Sequence, residues 1–251
     1  ITNMETGVGF DASQDPIYGG DMAMWKKAAN SLKLRLAMRL ADVNPSVAEQ
    51  KASEAAAGVI SSNADNFGIN YLASAPNTHP LWVTLVQSGR NDYVAANTLV
   101  DAMNPINDPR LDYYFELRDG AYVGGIYGDA NAASGFSAVS DELKNPALKG
   151  DLITASEVSF LLAEAAARGF NVSGDAETHY NNGVISSIEY WGGSAADATA
   201  YLAQSDVAYT TASGDWKQII GTQKWIAMYN NQFEGWTTWR LFDQPMLNAV
   251  P

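Results

Sequence analysis

The chain contains no cysteine. This absence excludes disulfide bonds, thiol nucleophiles and cysteine-ligated zinc within its 251 residues. Charged residues are also scarce, at 17% of the chain against roughly 25% in an ordinary soluble domain. Uncharged polar side chains must therefore cover much of the surface, which suits neutral polar ligands such as sugars. No apolar run approaches the roughly 20 residues that a membrane-spanning helix needs.

Basic residues are outnumbered by acidic ones, 15 against 28, so the formal net charge is −13. Such a surface repels phosphate backbones and anionic lipid headgroups, and we expect no nucleic-acid partner. No cofactor is expected either. Carboxylates are preferred ligands of Ca²⁺, so bound Ca²⁺ is kept as an alternative, although acidity that only maintains solubility is the preferred interpretation.

Signatures of catalysis are few. The two histidines, His79 and His179, are far apart and lie in no H-E-x-x-H frame. No G-x-S-x-G elbow or P-loop occurs, and the glycine-rich VGGIYG lies among loop signals. Residues 108–119 hold four carboxylates, but Arg110 and Arg118 offer them ordinary ion-pair partners. We expect no catalytic residue, and a glycoside hydrolase with two facing carboxylates stays as an alternative.

Helical periodicity is clear near the start of the chain. A helix is predicted after Asp21, a candidate N-cap, with one apolar stripe that meets other helices and with basic residues such as Arg35 facing solvent. A second helix begins after Pro45 and ends at Gly58, so the two form a helical hairpin. The predicted stripe consists of Trp25, Ala29, Leu32, Leu36 and Leu40.

A second helical region begins after Thr154. Thr154 and Glu157 have the spacing of a capping box, and Gly169 is a C-terminal stop signal. Small and large residues then alternate as in tetratricopeptide-like helical hairpins. The sequence therefore predicts a mainly α-helical fold in which such hairpins form a scaffold.

Residues 61–150 have a different character, since they are rich in Gly, Pro, Asn and Asp. A short helix is predicted over 92–103 and a strand over 112–118, with loops elsewhere. Irregular segments of this length inside a compact domain are usually functional or disordered. The many aromatic residues of this segment argue against disorder.

These loop aromatics lie among Asn, Asp, Arg and Gly. The apolar face of a sugar ring stacks on an exposed Tyr or Trp, while its hydroxyls bond to polar neighbours. Alternatively, each aromatic only anchors a loop to the scaffold, and if all were buried the chain would be a purely structural helical-repeat adaptor. From their sequence context, we predict four ligand-binding residues: Trp82, Tyr93, Tyr122 and Tyr127.

The densest aromatic cluster is QKWIAMYNNQFEGWTTWRLFD, residues 223–243. Its aromatics recur at intervals of three and four, which places them in rows along helix faces that meet other helices. We therefore predict that this cluster is scaffold. Glu234 is expected to pair with Arg240, and Gln223 to bond a loop. The aromatics are Trp225, Tyr229, Phe233, Trp236 and Trp239.

Five stretches of the sequence carry a family resemblance. In chain order they are GGDMAMWKKAANSLKLRLAMRLADVN, NDPRL, ITASEVSFLLAEAAARGF, AETHYNNGVISSIEYWG and IIGTQKWIAMYNNQFEGWTTWRLFDQPML. Together they resemble the SusD/RagB family of outer-membrane nutrient-binding lipoproteins of Bacteroidota, and more closely its SusD-like second subgroup. The resemblance spans nearly the whole chain. It implies one domain over residues 1–251, with residues 61–150 as a loop-rich insertion on the ligand side.

The resemblance implies non-catalytic capture of oligosaccharides or polysaccharides at the surface of the outer membrane, for delivery to a SusC-like TonB-dependent transporter. Some members capture peptides, which stays as an alternative. Family members carry a signal peptide and a lipid-modified cysteine, which this sequence lacks, and its end departs from the family pattern at Leu241 and Phe242. We therefore expect a lipid anchor, the first helices and a C-terminal tail to lie outside this chain.

Overall fold

The computed structural model describes residues 1, 3–7 and 9–247. Helices dominate this part of the chain, and its sheet is one antiparallel pair of strands, β1 (Phe67–Ile69) and β2 (Gly150–Ile153). The predicted mainly α-helical fold is confirmed. The helices are α1 (Met22–Arg39), α2 (Pro45–Ala56), α3 (Pro80–Trp82), α4 (Asn97–Met103), α5 (Leu111–Tyr114), α6 (Ala155–Ala167), α7 (Ala176–Tyr190), α8 (Ala195–Leu202), α9 (Trp216–Ala227) and α10 (Gln232–Phe242).

The predicted hairpin near the start is formed by α1 and α2, which pack against each other. The Asp21 side chain accepts hydrogen bonds from the backbone N–H groups of Ala23 and Met24, so the predicted N-cap is confirmed. Asn44 caps α2 in the same way, through the N–H of Val47. The buried face of α2 consists of three small residues at helical spacing, Ala48, Ala52 and Ala55.

Most of the predicted apolar stripe of α1 does not face the core, although Trp25 at its start packs on Phe67 with ring centroids 5.4 Å apart. Leu32, Leu36 and Leu40 are 44%, 58% and 39% exposed. The helix buries the other side instead, which carries Ala28, Ser31, Leu34, Ala37 and Met38. Because α1 has apolar residues on both sides, periodicity alone does not determine which side faces inward.

Polar partners from distant parts of the chain determine the orientation of α1. Arg35 Nε, predicted to lie near solvent, donates to Glu157 Oε1 on α6 at 2.6 Å, and Glu157 is fully buried. Arg39 pairs with Glu234 on α10. The predicted pair between Glu234 and Arg240 is therefore wrong: Arg240 lies over the Trp236 ring instead.

The second predicted hairpin is formed by α6 and α7. The Thr154 hydroxyl accepts from the N–H of Glu157 at 3.2 Å, which confirms half of the predicted capping box. Glu157 does not complete the box, because its carboxylate pairs with Arg35. Gly169 has a φ of +80° just after α6, as a helix stop requires.

Helices α6 and α7 approach each other closely at Gly183. A Cβ atom on this glycine would lie 2.9 Å from the Phe160 ring of α6. The Ser156 hydroxyl of α6 donates to the Gly183 carbonyl at 2.7 Å. The alternation of small and large residues noted in the sequence thus brings the two backbones together.

The irregular segment contains the short helices α3, α4 and α5. The predicted helix over 92–103 is present as α4, five residues shorter at its start. The predicted strand over 112–118 is wrong, because α5 occupies its first half and the rest forms only isolated bridges, from Phe115 to Val139 and from Arg118 to Ala121. Burial explains the difference, since Tyr114 stacks on Tyr229 of the scaffold with ring centroids 4.1 Å apart.

Within the described residues, every helix is too short or too polar to pass through a lipid bilayer.

Candidate functional site

Three stretches of the irregular segment, residues 94–97, 123–125 and 137–139, form a small backbone network. The Ala95 N–H donates to the Ser137 carbonyl and the Ala95 carbonyl accepts from the Gly125 N–H, both at 2.8 Å. These bonds fix the backbone next to Tyr93, which directly precedes the first stretch, and to Tyr127, which follows the second by two residues, and both side chains line one cavity.

The glycine-rich VGGIYG has a packing role in this network. A Cβ atom on Gly124 would lie 2.3 Å from the Cα of Asn97, so only glycine allows the two backbones to approach this closely. Asn131 then closes the following loop by bonding both backbone groups of Ile126, at 3.0 Å to its N–H and 2.7 Å to its carbonyl. Tyr127 is therefore presented from a braced loop.

The junction of α9 and α10 faces this network. Tyr229, between the two helices, is held by its stacking on Tyr114, and the side chain of Trp225 packs beside it. Trp236 of α10 lies against Trp239, with ring centroids 5.2 Å apart. These contacts orient the wall that the scaffold contributes.

Between the network and the helices lies a cavity of about 300 Å³, which we name the aromatic pocket. Tyr93, Tyr127 and Trp236 are its exposed aromatic residues, at 44%, 47% and 56% exposure. No charged side chain is among the described residues that line it. The lining consists of Tyr93, Val94, Ala95, Ala96, Leu99, Phe115, Tyr127, Val139, Trp225, Met228, Tyr229, Gln232, Gly235 and Trp236.

Two arginines lie over exposed rings of the aromatic pocket. The Arg90 guanidinium is 4.8 Å from the Tyr93 ring centroid and is paired with Asp92 at 2.6 Å. The Arg240 guanidinium is 5.8 Å from the Trp236 ring centroid. Cation–π contacts of this kind favour a fixed ring orientation without placing charge in the lining.

The structure brings together two of the four predicted ligand-binding residues, Tyr93 and Tyr127. Tyr122 instead packs against the core and lines a separate cavity of about 390 Å³. Its hydroxyl donates to Asp112, and burial together with that carboxylate raises the pKa of Tyr122. Trp82 is partly buried at the end of α3 and is not in the lining of either cavity.

The sequence prediction missed Trp236, which it assigned to the scaffold together with the whole 223–243 cluster. The assignment is right for Trp225 and Tyr229, which pack on the core, but Trp236 and Phe233 are exposed. A signal for this was present: the buried face of α10 is formed by Gly235, Thr238 and Phe242. On a helical projection these lie opposite Phe233 and Trp236.

The carboxylates of residues 108–119 have structural partners. Asp108 pairs with the fully buried Arg110 at 2.5 Å, as the sequence suggested.

Two buried glutamates of α6 also have charge partners. Burial raises the pKa of Glu157 and of Glu164, and the main opposing charges are Arg35 for the first and Lys224 for the second. In the described part of the chain, no group of three or more His, Cys, Asp or Glu side chains is placed to hold a metal ion. The Ca²⁺ alternative stays a prediction.

The whole chain, residues 1–251, matches a family model named SusD-like and described as starch-binding and associating with the outer membrane. A comparison with curated proteins gives no match.

Several solved structures are similar over nearly the whole chain. A SusD homologue from Bacteroides uniformis is 30% identical, with a TM-score of 0.85, and the match covers 98% of this chain and 57% of that one. A chitin-binding SusD homologue from Flavobacterium johnsoniae is 28% identical, with a TM-score of 0.81 and coverage of 96% and 56%. A homologue from Bacteroides thetaiotaomicron is 28% identical, with a TM-score of 0.83 and coverage of 100% and 58%. The chain thus spans somewhat more than half the length of these relatives.

Proposed function

The chain belongs to the SusD-like family, and from this premise we propose that it binds a neutral glycan in the aromatic pocket, without catalysis. In the whole protein, the bound oligosaccharide or polysaccharide is passed to a SusC-like TonB-dependent transporter at the surface of the outer membrane. The chain spans just over half of its relatives, so location, lipid anchor and transporter belong to this proposal.

One observation carries the proposal. Three exposed aromatic side chains, Tyr93, Tyr127 and Trp236, surround a concave pocket whose described lining contains no charge. An exposed aromatic plane attracts the C–H face of a sugar ring, and a braced scaffold limits the entropy lost on binding. The description of one relative as chitin-binding supports a glycan ligand.

The alternatives are less well supported. A structural adaptor predicts that all loop aromatics are buried, whereas Tyr93 and Tyr127 are exposed. A glycoside hydrolase needs two facing carboxylates, and the described lining of the aromatic pocket has none. Peptide capture keeps one supporting observation, because the apolar part of the lining also suits an apolar side chain.

Isothermal titration of the purified protein with a panel of soluble oligosaccharides and apolar peptides tests the proposal. We expect saturable binding of at least one neutral oligosaccharide, with no release of reducing sugar over prolonged incubation. Binding of peptides alone would support the peptide alternative. Steady release of reducing ends would contradict the absence of catalysis.

A further inference from the structure

The floor of the aromatic pocket differs chemically from its rim. The rim carries the exposed groups, namely the three aromatic planes and the amide of Gln232. The floor is buried and apolar, with Ala95 at 1% exposure, Leu99 at 8%, Phe115 at 4% and Met228 at 3%. A plain hexose can stack the C–H face of its ring at the rim, but it has no apolar substituent that could fill this floor.

Hydroxyl groups are poor ligands for such a floor. A hydroxyl that leaves water without a new hydrogen-bond partner loses free energy, and Leu99, Phe115 and Met228 have side chains that offer no strong partner. A charged substituent on the floor is worse, since no described lining residue carries a counter-charge. The nearest charged groups at the rim, the guanidinium groups of Arg90 and Arg240 over the rings of Tyr93 and Trp236, are cationic. A protonated amino sugar therefore finds no partner in either part of the pocket.

We propose that the aromatic pocket selects a neutral sugar with a 2-acetamido substituent, whose methyl group lies on the apolar floor while the sugar ring stacks at the aromatic rim. The proposal rests on the proposed function and specifies its ligand. The amide of Gln232 can donate to the acetamido carbonyl or accept from its N–H. Burial of one methyl group and one amide hydrogen bond together favour the acetamido sugar by about tenfold.

The test compares three hexamers that share one β-1,4-linked backbone and differ only at position 2. These are the hexamers of N-acetylglucosamine, of glucose, and of glucosamine at a pH where its amino groups are protonated. Isothermal titration is expected to give the acetamido hexamer at least tenfold tighter binding than the glucose hexamer. The glucosamine hexamer is expected to bind most weakly.

A matched pair of glycine substitutions locates the preference in the floor. A Cβ atom on Gly235 would lie 3.5 Å from the carbonyl oxygen and 3.7 Å from the Cβ of Met228, a floor residue, and both are ordinary contacts. Gly235→Ala therefore adds a methyl group to the lining without a clash, and it is expected to reduce the acetamido preference severalfold. Gly135, which has nothing within 4 Å of an added Cβ and is outside the lining, provides the control: Gly135→Ala is expected to keep the preference.

The outcomes distinguish a failure of the acetamido inference from a failure of the proposed glycan binding. If the glucose hexamer, or another glycan without acetamido groups, binds as tightly as the acetamido hexamer or more tightly, the acetamido inference is wrong and glycan binding stands. If no glycan of any kind binds, the proposed function itself is wrong. Equal preference in wild type and Gly235→Ala would remove the floor from the explanation.

Discussion

Two clusters of side chains join the irregular segment to the α9–α10 region. They differ in whether their side chains bond one another or remain exposed to solvent. In the first, the buried Arg110 guanidinium bonds to Asp108, Ser187, Tyr201 and Gln223, at 2.5 to 3.4 Å. In the second, the aromatic pocket, Tyr93, Tyr127 and Trp236 keep about half of their surface exposed. A cluster whose groups already bond one another stabilises the fold, whereas exposed aromatic planes can bind a ligand.

The largest effect is expected from breaking the first cluster. Arg110→Met leaves the Asp108 carboxylate buried without its charge partner, so we expect the free energy of unfolding to fall by about 3–5 kcal/mol. Urea denaturation measures this. Arg118, 43% exposed and paired with the exposed Asp119, supplies the control: Arg118→Met is expected to change stability by less than about 1 kcal/mol. Equal losses in both variants would show that the buried Arg110 cluster contributes no more to stability than an exposed ion pair.

Asp151 tests an intermediate case, a half-buried carboxylate with incomplete hydrogen-bond partners. Its Oδ1 is buried without a hydrogen-bond partner in the described part of the chain. Burial raises the pKa of Asp151 to about 6, against the opposing effects of Tyr190 and Lys149. The folded state therefore holds this proton to higher pH than the unfolded state, so the contribution of Asp151 to stability falls as pH rises from about 4 to about 6.

Asp151→Asn removes this penalty. At pH 7.5 the variant is expected to exceed the wild type in free energy of unfolding by up to about 3 kcal/mol, and the difference should shrink as pH falls towards 4. Urea titrations at several pH values measure it. Asp119→Asn, at an exposed position with a φ of +50° that Asn tolerates, is the control. A gain independent of pH would show that the charge of Asp151 is not the cause.

Substitutions at the rim of the aromatic pocket should change glycan affinity rather than protein stability. Trp236→Ala removes an exposed rim group, and we expect glycan affinity to fall about 10- to 100-fold, or roughly 1.4–2.8 kcal/mol, with little change in melting temperature. Phe233 is more exposed, at 86%, but lies outside the lining. Phe233→Ala should therefore keep its affinity within about twofold. Similar losses in both variants would point to the whole exposed face of α10 rather than the pocket.

Two helical glycines give a last contrast, and Gly235 has the smallest expected effect of the series. Gly235→Ala fits its site and removes the entropic cost of glycine in a helix, so stability should rise by about 0.5–1 kcal/mol. Gly183→Ala should lower stability by about 1–3 kcal/mol, because the new Cβ would lie 2.9 Å from the Phe160 ring. Thermal melts of both variants measure the contrast. A stabilised Gly183→Ala would mean that α6 and α7 are not closely packed at this point.

Local patterns in the sequence were enough to identify the helical hairpins and their caps. Asp21, Thr154 and Gly169 act as predicted because capping is settled by neighbours within four residues. The same patterns did not determine the inward side of α1. That side depends on Glu157 and Glu234, more than a hundred residues away in the chain.

The candidate site could be predicted only in part for the same reason. Tyr93 and Tyr127 were found from their loop context, but Tyr122 and Trp82 share that context and lie elsewhere. Trp236 was missed because a row of aromatics at helical spacing looks alike whether it faces a neighbour or solvent. The ligand-binding assignment of all four predicted residues stays a prediction.

By itself, the sequence determined the absence of thiol chemistry, the uncharged polar character and the order of helices. It also indicated the family through the order of five stretches, one of which, residues 219–247, includes the Gln223 whose side chain accepts from Arg110 at 2.7 Å. Only the tertiary structure decided which aromatics share one pocket and which faces of α1 and α10 meet solvent. Helical periodicity states that a face is apolar, whereas contacts between distant segments decide what covers it.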